Sequence, residues 1–228
     1  MFSSYKHKID INELKPQLPL DLGVLLTRYV DPFVNNGKMY YEIMSYSGME
    51  DAVICDKDPE IINIYKVVKT NPESLIENLR ESEDKFNYET WEEKRILYKS
   101  NLGKFSYIKG NNDKKLSLLR ASILIFLIAA NKYFKENYDN IIEPELTANP
   151  IFICPEEKIR KMSDYLSVTK IIQGDFNECL PYVNKRTFMI VNPKPPLDPR
   201  TLKAVESFNK IASYKGAEII FNYPKTEY

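Results

Sequence analysis

Glycine is scarce: 7 of 228 residues, about 3% against a usual value near 7%. A glycine-rich ligand loop therefore starts at a disadvantage. Histidine is scarcer still, with His7 the only one, and Cys55, Cys154 and Cys179 show no CxxC spacing. A metal centre would have to draw on scattered groups and a Ser-His-Asp triad on an imidazole near the N-terminus, so neither is expected. Three scattered thiols suit a reducing compartment better than a disulfide framework. Net charge is also lacking, because 32 basic residues cancel 32 acidic ones. That balance excludes a uniformly basic nucleic-acid binder and leaves room only for a local basic groove. Long apolar runs are missing too. The longest, Leu116 to Ala130, is interrupted by Arg120 and is shorter than the roughly 20 residues that cross a bilayer. The stretch from Met1 to Lys15 has no signal-peptide core. A cytoplasmic protein with no membrane segment is the expectation.

What is present is ample material for a core: 43% hydrophobic residues, including 16 Tyr and 11 Phe, which argues against disorder. Short apolar runs predict strands at Arg28–Phe33, Ala52–Cys55, Thr169–Ile172, Thr187–Val191 and Ala217–Phe221. They are mostly continuous, as strands covered on both faces tend to be. Asp56, Asp175 and Asn192 stand just beyond three of them. In open parallel sheets the carboxyl ends of strands form the ligand crevice. Between the second and third runs the pattern is helical. Asp58-Pro59 and Asn71-Pro72 are helix starts, the segment 81–115 is charged and aromatic by turns, and a turn at Gly110–Asp113 precedes a buried helix over 116–134. This stretch is too long for a simple crossover. The spacing predicts an α/β core over residues 1–57 and 166–228, interrupted by a helical insertion over 58–165.

The segment Tyr29-Val-Asp-Pro-Phe-Val-Asn-Asn-Gly-Lys38 resembles the first cofactor motif of the DNA adenine methyltransferases of the Dam class. There, a strand ends in an acid and Pro-Phe-x-Gly-x-Gly before a helix. The resemblance continues in order: Cys55-Asp-Lys-Asp-Pro59 after the second strand, Arg120-Ala121 and Asn131-Lys132 on the apolar helix, and Gly174-Asp-Phe176. Asn192-Pro-Lys-Pro195 falls where Asp-Pro-Pro-Tyr belongs, and Lys215–Phe221 where a late strand is expected. The resemblance implies a Rossmann-like methyltransferase three-layer sandwich. The cofactor it implies is S-adenosylmethionine and the partner double-stranded DNA, with no membrane or metal involved and any protein partner unknown. The insertion would lie where the family carries its DNA target-recognition subdomain.

The resemblance implies roles position by position, and the chemistry of each residue type suits them. Phe33, Asn35 and Gly37 would line the turn beside the methionine part of the cofactor. Asp56, or less readily Asp58, would hold its ribose hydroxyls, and Asp175 with Phe176 its adenine. Lys8 is what remains of an N-terminal cofactor segment. Asn192 and Pro193 would accept the hydrogens of the target amine. Simpler readings stand beside these: Asp56 and Asp58 could cap the next helix, and Phe176 could be core.

Departures from the family gather at these same positions. Asn35 replaces the first loop glycine, and Lys194-Pro195 replaces the second Pro and the aromatic of the methyl-transfer motif. A lost base-stacking ring costs about 1–3 kcal/mol, and a lysine beside a sulfonium adds like-charge repulsion. The segment Tyr133–Glu145, where the family places a basic DNA hairpin, has neither Arg nor Gly. Lys109, Lys114, Lys115 and Arg120 offer either a local basic patch or a solvated helix face. The expectation is a catalytically inactive homologue that serves as a binding or structural module. The alternative is an active site-specific DNA adenine-N6 methyltransferase with divergent motifs.

Overall fold

The apolar runs become one parallel sheet. The computed structural model describes residues 14–111, 113–131, 146–147, 150–194 and 197–221, and the observations below concern these. The strands are β1 (Arg28–Asp31), β2 (Asp51–Asp56), β3 (Thr169–Gln173), β4 (Thr187–Val191) and β5 (Glu218–Phe221). They lie in the order β3-β2-β1-β4-β5, with every pairing parallel. Val30 sits opposite Val53 on one side and Met189 on the other. β4 is buried along its whole length, while β3 and β5, at the edges, are partly exposed. Burial on both faces explains why the central strands read as unbroken apolar runs.

Helices supply the crossovers. α1 (Lys38–Ser47) joins β1 to β2, and α7 (Pro199–Tyr214) joins β4 to β5. Between β2 and β3 run α2 (Pro59–Thr70), α3 (Pro72–Tyr88), α4 (Trp91–Ile108), α5 (Lys114–Ala130) and α6 (Glu156–Ser167). The described residues divide into two compact units, a helical unit within 59–167 and a sheet unit within 14–58 and 168–221. None of the described helices is long and apolar enough to cross a membrane.

In the sheet unit, the order places the topological switch point between β1 and β4. Their following loops diverge there and leave a crevice at the strand ends. Beneath it, Val30, Val53, Cys55, Met189 and Val191 pack with Phe176, Phe208 and Ala212 as a continuous core. All three cysteines are free and buried.

In the helical unit, starts are set where the sequence places its caps. Pro72 stands in the first turn of α3. α4 opens on a capping box, Thr90 accepting from the Glu93 amide and Glu93 accepting from the Thr90 amide. Asp113 caps α5. The segment 81–115 resolves into the second half of α3 and the whole of α4. α5 is buried along most of its length and ends at Ala130, where Asn131 forms an isolated bridge with Leu146; residues 132–134 of the predicted helix lie outside the described residues.

Arg120 belongs to no basic patch. It is 5% exposed and forks onto Glu60, 3% exposed, through contacts of 2.6 and 3.0 Å. Arg120 also donates to the Asn111 carbonyl. The Gly110 amide donates to Glu60 at 2.7 Å. The buried pair thereby pins the turn between α4 and α5.

Candidate cofactor crevice and catalytic loop

After β1 the chain makes a tight loop that ends on α1. Gly37 takes the left-handed conformation (φ 70°) as the N-cap of α1, and Asn35 takes it as well (φ 46°), alone among described non-glycine residues. Asn is one of the few residues that tolerates this region, so the turn survives loss of its first glycine. Asn36 is buried, and its side-chain oxygen accepts from the Lys38 amide at 3.0 Å. The loop keeps its fold by replacing backbone freedom with side-chain hydrogen bonds.

Those hydrogen bonds cross the crevice. Asn35 Nδ2 donates to the Phe33 carbonyl at 2.6 Å and to the Asn192 carbonyl, beyond β4, at 3.3 Å. The Asn35 amide donates to Asp56 Oδ2 at 3.1 Å, and Asp56 Oδ1 accepts from the Asp58 amide at 2.9 Å. One side chain thus joins the loop after β1 to the end of β4, and one carboxylate joins that loop to the end of β2. A small cleft at this end of the sheet is lined in part by Asp31, Asn35, Lys38 and Asn192.

Asp31 closes β1 and is 3% exposed. It accepts from the Tyr29 hydroxyl at 3.2 Å and from the Phe33 amide at 3.1 Å. Burial raises its carboxyl pKa to about 7, with nearby Asp56 adding repulsion, although both hydrogen bonds oppose the shift. Burial and Asp31 push the Tyr29 hydroxyl well above its ordinary range. The sequence marks Asp31 only as the acid of a motif. Its protonation equilibrium is a property of the packing, invisible in residue order.

On the other side of β2, Asp175 caps a short 3-10 helix, Phe176–Tyr182, with Glu178 completing a capping box. Lys57 Nζ pairs with Asp175 Oδ2 at 3.0 Å. Burial tends to raise the Asp175 carboxyl, but the Asn177 amide and Lys57 outweigh it and hold the pKa below the usual carboxylate range. Phe176 is 4% exposed and packs on Phe33 at 5.1 Å and Phe208 at 5.3 Å between ring centres. Its ring thereby forms part of the core of the sheet unit. Lys57 Nζ lies 5.8 Å from the centre of the Phe176 ring.

Asn192 is 5% exposed at the end of β4 and borders the cleft, with Pro193 next in the chain. Phe33, Asn35 and Asn192 line one cleft, Gly37 follows in the same loop as the N-cap of α1, Asp56 reaches that loop through the Asn35 amide, and Asp175 stands one strand further along. Lys8, Pro195 and the Tyr133–Glu145 segment lie outside the described residues. Among the described residues, no group of three or more His, Cys, Asp or Glu side chains could hold a metal.

A parallel sheet with its switch point between β1 and β4, and amide and acidic side chains gathered at the strand ends, is the architecture of a Rossmann-like methyltransferase. The model of the D12 class N6 adenine-specific DNA methyltransferases matches residues 6–225, and the chain belongs to that family. Two relatives are each 25% identical to it. Type II methyltransferase M.MjaIII of Methanocaldococcus jannaschii matches over 90% of this chain and 70% of its own length. Type II methyltransferase M1.LlaDCHI of Lactococcus lactis subsp. cremoris matches over 79% of this chain and 61% of its own.

S-adenosylmethionine is the methyl donor that the family implies. The crevice as folded does not fit it well. Asn35 spans the gap between the Phe33 and Asn192 carbonyls, and Lys57 holds the Asp175 carboxylate. Both are side chains of the protein at positions that the family resemblance would give to the cofactor.

Proposed function

We propose that this chain is a D12-class methyltransferase fold that has lost methyl transfer and works as a non-catalytic binding module, with double-stranded DNA the partner its family suggests. The observation that carries this reading is the Asn35 side chain, bonded to the backbone carbonyls of Phe33 and Asn192, all three residues lining the cleft. A glycine at this position leaves that space open; an asparagine carboxamide fills it and takes up the backbone carbonyl of Asn192, the residue assigned to accept the target amine. The motif change to Asn-Pro-Lys-Pro supports the same reading, since it removes the base-stacking ring and brings in a cation. Within it, Asp56 is assigned the ribose position, Asp175 and Phe176 the adenine position, and residues 58–165 the DNA-facing subdomain.

One observation favours an active enzyme instead. Asn192 stands at the end of β4 and borders the cleft, and a carboxamide is by type an acceptor for an amine. Incubation with methyl-labelled S-adenosylmethionine and mixed-sequence duplex DNA separates the two. The proposed function predicts no label in DNA and a flat calorimetric titration with the cofactor. Label on adenine, lost in Asn192→Ala, overturns it.

A further inference from the structure

Lys57 presents two contacts that are chemically those of an adenine. Its ammonium donates to Asp175 Oδ2 at 3.0 Å, where an exocyclic amine would donate. It also lies 5.8 Å from the centre of the Phe176 ring, where the face of a base would be received. A cation over an aromatic face and a stacked base satisfy the same π surface. Position explains how this arises: Lys57 directly follows β2, and Gly174, whose amide donates to the Asp56 carbonyl at 3.0 Å, directly precedes Asp175 beyond β3. The two strand ends are thereby held side by side. The Asp175 carboxylate is otherwise engaged by Asn177, through its amide at 3.0 Å and its side chain at 2.7 Å, both on Oδ1. The Oδ2 atom is the one Lys57 takes.

We propose that Lys57 is an internal latch on the adenine subsite, occupying the acceptor and the ring that an adenosyl ligand needs and setting how readily such a ligand enters. This rests on the assignment of Asp175 and Phe176 as the adenine position. The Lys57 side chain is 68% exposed, so the latch swings open at small cost and weakens a competitor rather than excluding it. An exposed pair of this kind holds back a ligand by roughly two- to fivefold. Salt screens it, so the handicap shrinks as ionic strength rises.

The test uses adenosine, a neutral probe whose own binding has no net-charge term, titrated by calorimetry or ligand-observed NMR at low and high sodium chloride. Wild type, Lys57→Ala, and the double variant Lys57→Ala with Asp175→Asn are compared, each checked for fold by circular dichroism. The latch predicts that Lys57→Ala binds adenosine about two- to fivefold more tightly than wild type at low salt. The gap should narrow at high salt, and the double variant should lose the gain. Equal affinity of wild type and Lys57→Ala at low salt, with the double variant weaker than both, overturns the latch and leaves the adenine position intact. If Lys57→Ala binds but the double variant binds equally well, adenosine sits elsewhere and the adenine assignment itself falls. No binding by any variant also overturns the latch, because the lysine is then not what closes the site.

Discussion

Asn35 and Asn192 lie 157 positions apart in the chain, yet the side chain of the first donates to the backbone carbonyl of the second at 3.3 Å. This contact crosses the topological switch point of the sheet, where a ligand of this fold would enter. It also depends on a left-handed Asn35 (φ 46°), a conformation glycine adopts without strain. The first prediction is that Asn35→Gly folds with a stability within about 1 kcal/mol of wild type, since backbone relief offsets the lost hydrogen bonds. In calorimetry with S-adenosylmethionine, wild type gives a flat trace and Asn35→Gly a one-to-one isotherm. Flat traces from both proteins would show that the obstacle lies elsewhere.

The buried carboxyl of Asp31 gives a pH signature. Its pKa is about 7 in the folded protein and near 4 when unfolded. A folded-state pKa above the unfolded value means that the native protein favours the protonated acid. Its contribution is fully present below about pH 4 and is lost as pH rises to about 7, at a cost on the order of 4 kcal/mol. Glu73, Glu156, Asp175 and Asp198 have lowered values and act oppositely, losing stability as pH falls through the acid range. Urea denaturation at pH 5 and pH 8 should show wild type weaker at pH 8. Asp31→Asn should lose most of that difference. An unchanged difference in the variant would place the titrating group elsewhere.

Much of the fold was legible in residue order because its signals are local. Apolar runs at Thr187–Val191 and Ala52–Cys55 announce buried strands, and Pro59, Pro72 and Asp113 mark helix starts within the turn in which they act. The family resemblance was legible for the same reason, as an ordered series of strand-end motifs. The state of the site was not. Whether Asn35 points into the crevice, whether Lys57 reaches Asp175, and how strongly burial acts on Asp31 depend on groups brought together by the sheet. Arg120 is the clearest miss. It interrupts an apolar run and reads as surface charge, but its partner Glu60 is 60 positions away. The available signal was the mismatch itself, a lone arginine on a helix otherwise too apolar to face water.

That buried pair carries a stability prediction for the helical unit. Arg120→Ala leaves Glu60 buried without its counter-ion and removes a donor from the Asn111 carbonyl, which should cost about 3–5 kcal/mol. Trp91, the only tryptophan, lies at the start of α4, so its fluorescence during urea denaturation reports on this unit. Removing both charges with Glu60→Leu and Arg120→Met should cost much less than the single change, because no charge is stranded. A single variant as stable as wild type would mean that the pair is hydrated in solution.

The two acids at the crevice should separate by role once a ligand can enter. Asp56 accepts from the Asn35 and Asp58 amides, so it braces the loop as well as offering a ribose contact. Asp175 caps a short helix and holds Lys57. Without ligand, Asp56→Ala should therefore destabilise the protein by about 2–3 kcal/mol, from the loss of charge-assisted hydrogen bonds. Asp175→Ala should cost about 1 kcal/mol, as a lost cap does. In the Asn35→Gly background, each should weaken S-adenosylmethionine by tenfold or more, the equivalent of about 1.4 kcal/mol. Thermal denaturation gives the first pair of values and calorimetry the second. An Asp56→Ala variant that loses stability but keeps full affinity would make that carboxylate a brace alone, and the ribose position would have to pass to Asp58.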